Sequence, residues 1–192
     1  MSRSIDLRRR GLMRASGVTL LSASAVALLA GAEKVALANT GNAANDIGIL
    51  NTALALEHEA ISAYQLGAQS GLLQKPVLDV AVLFQSHHKE HRDALVATIR
   101  KLGGTPVAAK SDAEVGKALN AAMLKTQVDV LRLAQRLEKG AANAYVGVIP
   151  SFNDRTLAQI SARLGEDETM HWTVLTEALK DPLPAKALSF GA

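Results

Sequence analysis

The sequence predicts an all-α protein, an antiparallel four-helix bundle with a longer connection between helices 2 and 3. Three observations carry this reading. Apolar residues recur at alternating steps of three and four along four long stretches. Almost nothing reads as a strand, because β-branched residues are scattered and no Asn-Gly or Asp-Gly hairpin turn occurs. One spacing pattern also occurs twice: Glu57, Tyr64, then His88-x-x-His91, and Glu138, Tyr145, then Glu168-x-x-His171. Each half is one helix offering a carboxylate, followed by a helix offering an i, i+3 pair of ligand-type side chains.

The first helix is expected from about Asn45 to Ser70, with Leu50, Leu54, Glu57, Ile61 and Tyr64 on one stripe. Gly71 and Lys75-Pro76 break it. The second stripe is Val80, Phe84, His88, His91, Leu95 and Leu102, and Gly103-Gly104-Thr105-Pro106 stops that helix. A connection of about ten residues follows. Ser111-Asp112-Ala113-Glu114 has the spacing of a capping box and opens a third helical region reaching toward Val148, with Gly116 or Gly140 as marks of irregularity.

The later stripe of that third region is Leu131, Ala134, Glu138, Ala141 and Tyr145, and Pro150 ends it. Asn153-Asp154 precedes the fourth helix, whose inward residues are Leu164, Glu168, His171, Leu175 and Ala178, with Asp181-Pro182-Leu183-Pro184 closing it. The short links make helices 1 and 2, and again 3 and 4, antiparallel hairpins. The longer link after Leu102 has the length to cross the bundle. Trp172 is expected on the outer side of the fourth helix, and Met123 and Met170 as core filler.

Residues 1–38 are expected to be a signal segment outside the folded domain at 39–192. Arg8, Arg9 and Arg10 precede an apolar run from Val18 to Ala30, and Ala36-Leu37-Ala38 is a small-x-small cleavage signal, with Ala30-Gly31-Ala32 as a second such site. A retained N-terminal anchor is the alternative. The Arg9-Arg10-Gly11-Leu12-Met13-Arg14 stretch resembles the twin-arginine export signal, which implies the twin-arginine export machinery as a partner, a periplasmic location and export in the folded state.

The segment holds six of the chain's 21 basic residues and two of its 18 acidic ones, which leaves 15 basic and 16 acidic residues in the domain. A near-neutral domain without a basic run gives no reason to expect nucleic-acid binding. With no cysteine in the chain, thiolate metal sites and thiol catalysis are excluded. A metal here must be held by nitrogen and oxygen.

Glu57, His88, His91, Glu138, Glu168 and His171 all fall where the stripes call for leucine. An unpaired carboxylate in an apolar core costs at least several kcal/mol. A pair of divalent ions removes that penalty, and residues three apart on one helix face can reach one ion or bridge two. A metal-free network of protonated carboxylates and neutral histidines accounts for any one of these residues taken singly. Six at duplicated spacing point to metal. Tyr64 and Tyr145 are large core residues that need no function, with support of the lone carboxylates or radical quenching as the alternative. His58, Glu59, His87 and Glu166 are flanking polar residues that can contact the ligands. Glu90 lies about 200° around the helix from His88 and faces away.

Over roughly Ile49 to Leu179 the chain resembles the ferritin-like di-metal carboxylate superfamily, whose plan is a lone Glu on one helix and Glu-x-x-His on the next, repeated once. Glu57 and Glu138 match the lone carboxylates, His91 and His171 the terminal histidines, and Glu168 the first residue of the second Glu-x-x-His. His88 departs from the plan, standing where the family has a carboxylate. Three carboxylates and three imidazoles bind hard trivalent ions less well than four and two. One metal instead of two, or loss of iron oxidation, is the corresponding alternative.

The resemblance implies an iron or manganese centre of two ions per chain and oxidoreductase chemistry on dioxygen or peroxide. The competing expectation is a ferritin-like envelope protein for binding or stress, with one metal or none and no catalysis. A storage cage and a DNA-coating miniferritin follow from fold analogy alone, and a homodimer is the candidate assembly.

Overall fold

The computed structural model describes residues 42–191. The signal segment and both cleavage signals lie outside the described residues. Five α-helices and two short 3-10 turns, with no strand, make up the described chain: α1 (Asn42–Gln69), α2 (Lys75–Lys101), α3 (Asp112–Ala118), α4 (Gln127–Val148) and α5 (Arg155–Ala178). No helix among them is long and apolar enough to cross a membrane.

The helix ends follow from local chemistry. Pro76 opens α2, where its missing N–H costs nothing. Its C-terminus closes through Gly103 at φ 81°, with Gly104 N–H donating to Ile99 O at 2.9 Å and Gly103 N–H to Arg100 O at 3.0 Å. A Cβ on Gly104 would stand 2.7 Å from the Ile47 side chain, so the chain leaves α2 tight against α1. The connection that follows is pinned to α1. Asn51 donates to Thr105 O (3.1 Å) and accepts from Val107 N (2.7 Å), and His58 contacts Val107 O (3.2 Å).

The third helical region is split in two, and the break falls at residues 119–126, not at Gly116 or Gly140. The Ser111 capping box forms as expected and opens α3. Asn120 then turns left-handed at φ 53°, and a second capping box, Thr126 with Asp129, starts α4 afresh. Gly140 sits inside an unbroken helix. Asp154 caps α5, accepting from Thr156 N at 2.7 Å. Behind that cap the buried Asp46 of α1 accepts from the backbone N–H groups of Asn153 (3.0 Å) and Asp154 (3.1 Å), which ties the start of α5 to α1.

α1 packs along α2, and α4 along α5, with lighter contact between α1 and α4. Two apolar clusters form the core. One holds Leu50, Leu54, Leu95, Ile99, Tyr145, Leu157 and Leu164, and the other Tyr64, Phe84, Leu131 and Leu175. Burying each such leucine contributes roughly 1.5–3 kcal/mol. Each long helix contributes to both clusters, and its polar candidate residues lie between the two contributions: Leu54, Glu57, Tyr64 in α1, for example, and Phe84, His88, His91, Leu95 in α2. The sequence order alone therefore sets a polar layer between two apolar ones.

Some expected placements differ. Met123 (72% exposed) and Met170 (45%) face outward and fill no core, and Ala178 is exposed. Trp172 is buried, edge-on to Phe190 of the C-terminal segment at 5.1 Å between ring centroids, so the tail covers a face that a bare fourth helix would leave open.

Candidate metal centre

Four helices deliver the six residues to one place. Glu57, His88, His91, Glu138, Glu168 and His171 are all buried, none more than 7% exposed. Their ligand-type atoms form two overlapping groups of four, Glu57, His88, His91, Glu168 and His88, Glu138, Glu168, His171, and within each group the atoms lie within 4.8 Å of one another. His88 and Glu168 belong to both groups.

His88 occupies the middle. Its Nδ1 lies 2.8 Å from Glu57 Oε2 and its Nε2 3.2 Å from Glu138 Oε1, so one ring joins the lone carboxylates of the two halves. Tyrosines hold the same carboxylates, at the free oxygen of Glu57 and at the Glu138 oxygen that also faces His88. Tyr145 donates its hydroxyl to Glu57 Oε1, and Tyr64 donates to Glu138 Oε1.

The two terminal histidines are anchored alike from outside. His91 Nε2 lies 3.2 Å from Asp167 Oδ2, and His171 Nε2 lies 3.0 Å from His87 Nδ1. In each ring Nε2 is thereby occupied and Nδ1 faces the cluster. A partner on the outer nitrogen that fixes ring orientation is what metal-ligating histidines ordinarily have. Phe84 adds a stack on His171 at 4.1 Å between centroids.

Burial and crowding shift the ionisable groups in opposite directions. Burial pushes Glu57 up, but His88 and His91 outweigh it and hold the carboxyl at about 2. Burial likewise opposes, and His171 and His88 enforce, a Glu138 well below the usual carboxylate range. In Glu168 burial wins, raising it to about 7 against the pull of His171 and His91. Burial would lower His91, yet the Glu168 and Glu57 carboxylates beside it raise it to about 10, and His88 and His171 also move up. Without metal, the cluster balances its charge by protonating imidazoles.

That balance leaves polar atoms unsatisfied. His91 Nδ1, Glu138 Oε2, both oxygens of Glu168 and His171 Nδ1 are buried without a hydrogen-bond partner. They do approach one another, at 3.2 Å for His91 Nδ1 and Glu168 Oε1 and 3.3–3.4 Å for His171 Nδ1 and the Glu168 and Glu138 carboxylates, but without hydrogen-bond alignment. Buried polar groups are ordinarily paired, and five orphans within one cluster are a strong exception. The donor set, imidazole nitrogen and carboxylate oxygen, suits iron, manganese or zinc. The residues present fit a bound metal.

All six sequence-predicted residues thus converge. Of the flanking candidates, His87 reaches the cluster and Glu59 borders it. A gap of about 20 Å³ between α1 and α4 is lined by Glu59, His88 and Glu138 among others. His58 bonds the Val107 carbonyl instead, and Glu166 and Glu90 are exposed. Sequence reasoning missed Asp167 and undervalued the tyrosines. The seven-residue offset from each lone Glu puts its tyrosine two turns along the same face, a signal that was available. Asp167 carries no such mark.

The chain belongs to the ferritin-like domain family, which it matches over residues 45–181. Among solved structures it is similar to a conserved hypothetical protein from Mycobacterium tuberculosis, with 24% identity, a TM-score of 0.59, and coverage of 73% of this chain and 95% of that one. That likeness concerns the fold alone. No curated protein matches the sequence.

Proposed function

We propose that this is an exported ferritin-like protein whose core holds a dinuclear iron or manganese centre and uses it in dioxygen- or peroxide-linked redox chemistry. The observation that carries the metal reading is the set of five buried, unpartnered nitrogen and oxygen atoms on His91, Glu138, Glu168 and His171. Glu57, His91 and Glu168 would hold one ion and Glu138, Glu168 and His171 the other, with His88 within reach of either. A carboxylate has two oxygens, so Glu168, which belongs to both groups, would contribute to holding both ions. A neutral imidazole has one lone pair, so His88 serves one of them.

When bound, such a pair supplies open coordination positions and reducing equivalents to an oxidant. The chain's own part is positional. Tyr64 and Tyr145 fix one oxygen of each lone carboxylate, Asp167 and His87 set the terminal imidazoles, and the apolar clusters on either side limit water. The proposal includes an antiparallel four-helix arrangement of α1, α2, α4 and α5, with the stretch from Gly104 to Thr126 as the long connection, and cleavage of the twin-arginine segment after Ala38.

The redox half is tested by adding ferrous iron to the metal-free protein in air and following its oxidation by absorption. The protein should accelerate oxidation over buffer, and Glu168→Ala should abolish the acceleration. Equal rates with and without protein would sink the redox half.

A second reading is favoured by His88 itself. A ring bonded to Glu57 and Glu138 at once supplies positive charge where a metal would, which suits one ion or none and a binding or stress role in the envelope. Under that reading Glu138→Ala leaves metal content unchanged.

A further inference from the structure

Beyond Tyr64 and Phe84, on the side away from the polar layer, the bundle forms a partly open apolar pocket of about 170 Å³, with Pro76, Val174 and Ala178 at its exposed rim. Val77, Val80 and Phe84 of α2, Leu131 and Ala134 of α4, and Leu175 of α5 form much of its wall. Every lining residue is apolar or glycine except Tyr64, whose hydroxyl is already committed to Glu138. Of the small residues in the wall, Ala81 and Ala134 stand where larger side chains would take up space, whereas a Cβ on Gly67 would stand 3.2 Å from Val130.

Protein interiors are packed nearly as tightly as organic crystals, so a void of this size forfeits contact for each residue around it. Water does not restore that contact, since an ordered water needs two to four polar partners and the wall has none free. A dry apolar cavity of roughly 150 Å³ is large enough to take up benzene.

We infer that this cavity is a binding site for a small, uncharged, hydrocarbon-like molecule the size of one aromatic ring or a short alkyl chain. Its position gives the site a role. Phe84 stacks on His171 at 4.1 Å and Tyr64 bonds Glu138, so an occupant is separated from two proposed metal ligands by a single layer of side chains. As a statement of substrate class for the redox centre, the inference rests on the metal reading above. As a statement about binding, it does not.

The test uses the full chain with toluene and phenol as probes, in metal-free and metal-loaded protein. Toluene should raise the melting temperature and shift the NMR methyl signals of Val77, Val80 and Leu175. Phenol, nearly the same shape, should bind about tenfold or more weakly, because its hydroxyl finds no partner in the cavity. Ala81→Leu and Ala134→Leu, on different helices, should each fill the space and weaken toluene binding by roughly tenfold or more without changing metal content. Two variants guard against one that fails to fold.

Absence of toluene binding to the unsubstituted protein, equal binding of phenol, or binding that survives both fillings would overturn the site. Toluene should also perturb the visible absorption of the metal-loaded centre. Toluene bound in the cavity with no effect on that spectrum would overturn the link to the centre. Toluene binding to a chain that takes up no metal would support the cavity and sink only the metal reading.

Discussion

Tyr145, in the second half of the chain, donates its hydroxyl to Oε1 of Glu57, in the first half. Tyr64 repeats the bond in the other direction, to Glu138. Each lone carboxylate is therefore held by the tyrosine of the opposite repeat, and each half's polar layer is incomplete without the other. This reciprocity binds the two halves across the core where no apolar contact can.

Tyr145→Phe should leave Glu57 Oε1 without its hydroxyl donor in a buried site. The expected loss is about 1–3 kcal/mol in denaturant unfolding of the metal-free protein, with Tyr64→Phe similar through Glu138. The loss should shrink when metal is bound, because the ion then anchors the carboxylate.

Glu138→Ala removes an acceptor shared by Tyr64 and His88 and borders the His171 ring. Leaving those groups uncompensated should destabilise the metal-free protein by about 3–5 kcal/mol. Elemental analysis should show at least half of the bound metal gone. Unchanged metal content would favour the reading with one ion or none.

Asp167→Asn and His87→Phe alter only the outer anchors of His91 and His171. Metal affinity should fall about 10–100-fold for each, with the number of ions per chain unchanged. Competition against a chromophoric chelator separates that outcome from loss of a ligand, which lowers the number itself.

The pH dependence follows from the cluster's opposed shifts. Glu57, lowered from 4.5 to about 2, contributes stability that is full above 4.5 and lost as pH falls toward 2. His91, raised from 6.5 to about 10, contributes stability that is full below 6.5 and lost as pH rises through 10. Glu168, raised from 4.5 to about 7, favours its protonated form, a contribution lost between those values as pH rises. The metal-free protein should therefore be most stable in mild acid and weaken from neutral to alkaline pH.

Metal binding instead requires those imidazoles and Glu168 to lose protons, so affinity should increase with pH and binding should release protons. Melting curves of both forms should show a gap that widens as pH rises through neutrality. A gap independent of pH would contradict this charge balance.

Much of this was legible in the residues. The periodic stripes placed α1, α2, α4 and α5 with the six polar positions facing inward, because one misplaced carboxylate in a core is costly enough to be a signal. The split of the third region was not read, although Thr126 and Asp129 spell a capping box as plainly as Ser111 and Glu114 do. Capping is a local signal, and a local signal inside a continuing apolar pattern is easily overridden by it. Met123 and Met170 went wrong for the opposite reason: side-chain chemistry says core, but only the packing of neighbours decides which face of a helix is covered. Asp167 and the cavity behind Phe84 depend on distances between helices, which no single stripe encodes.

The polar layer is proposed to hold a metal pair. Elemental analysis of the protein purified after native export from metal-replete cells tests it most directly. About two iron or manganese ions per chain are expected. A folded protein carrying none, and taking up none when iron or manganese is added, would contradict it.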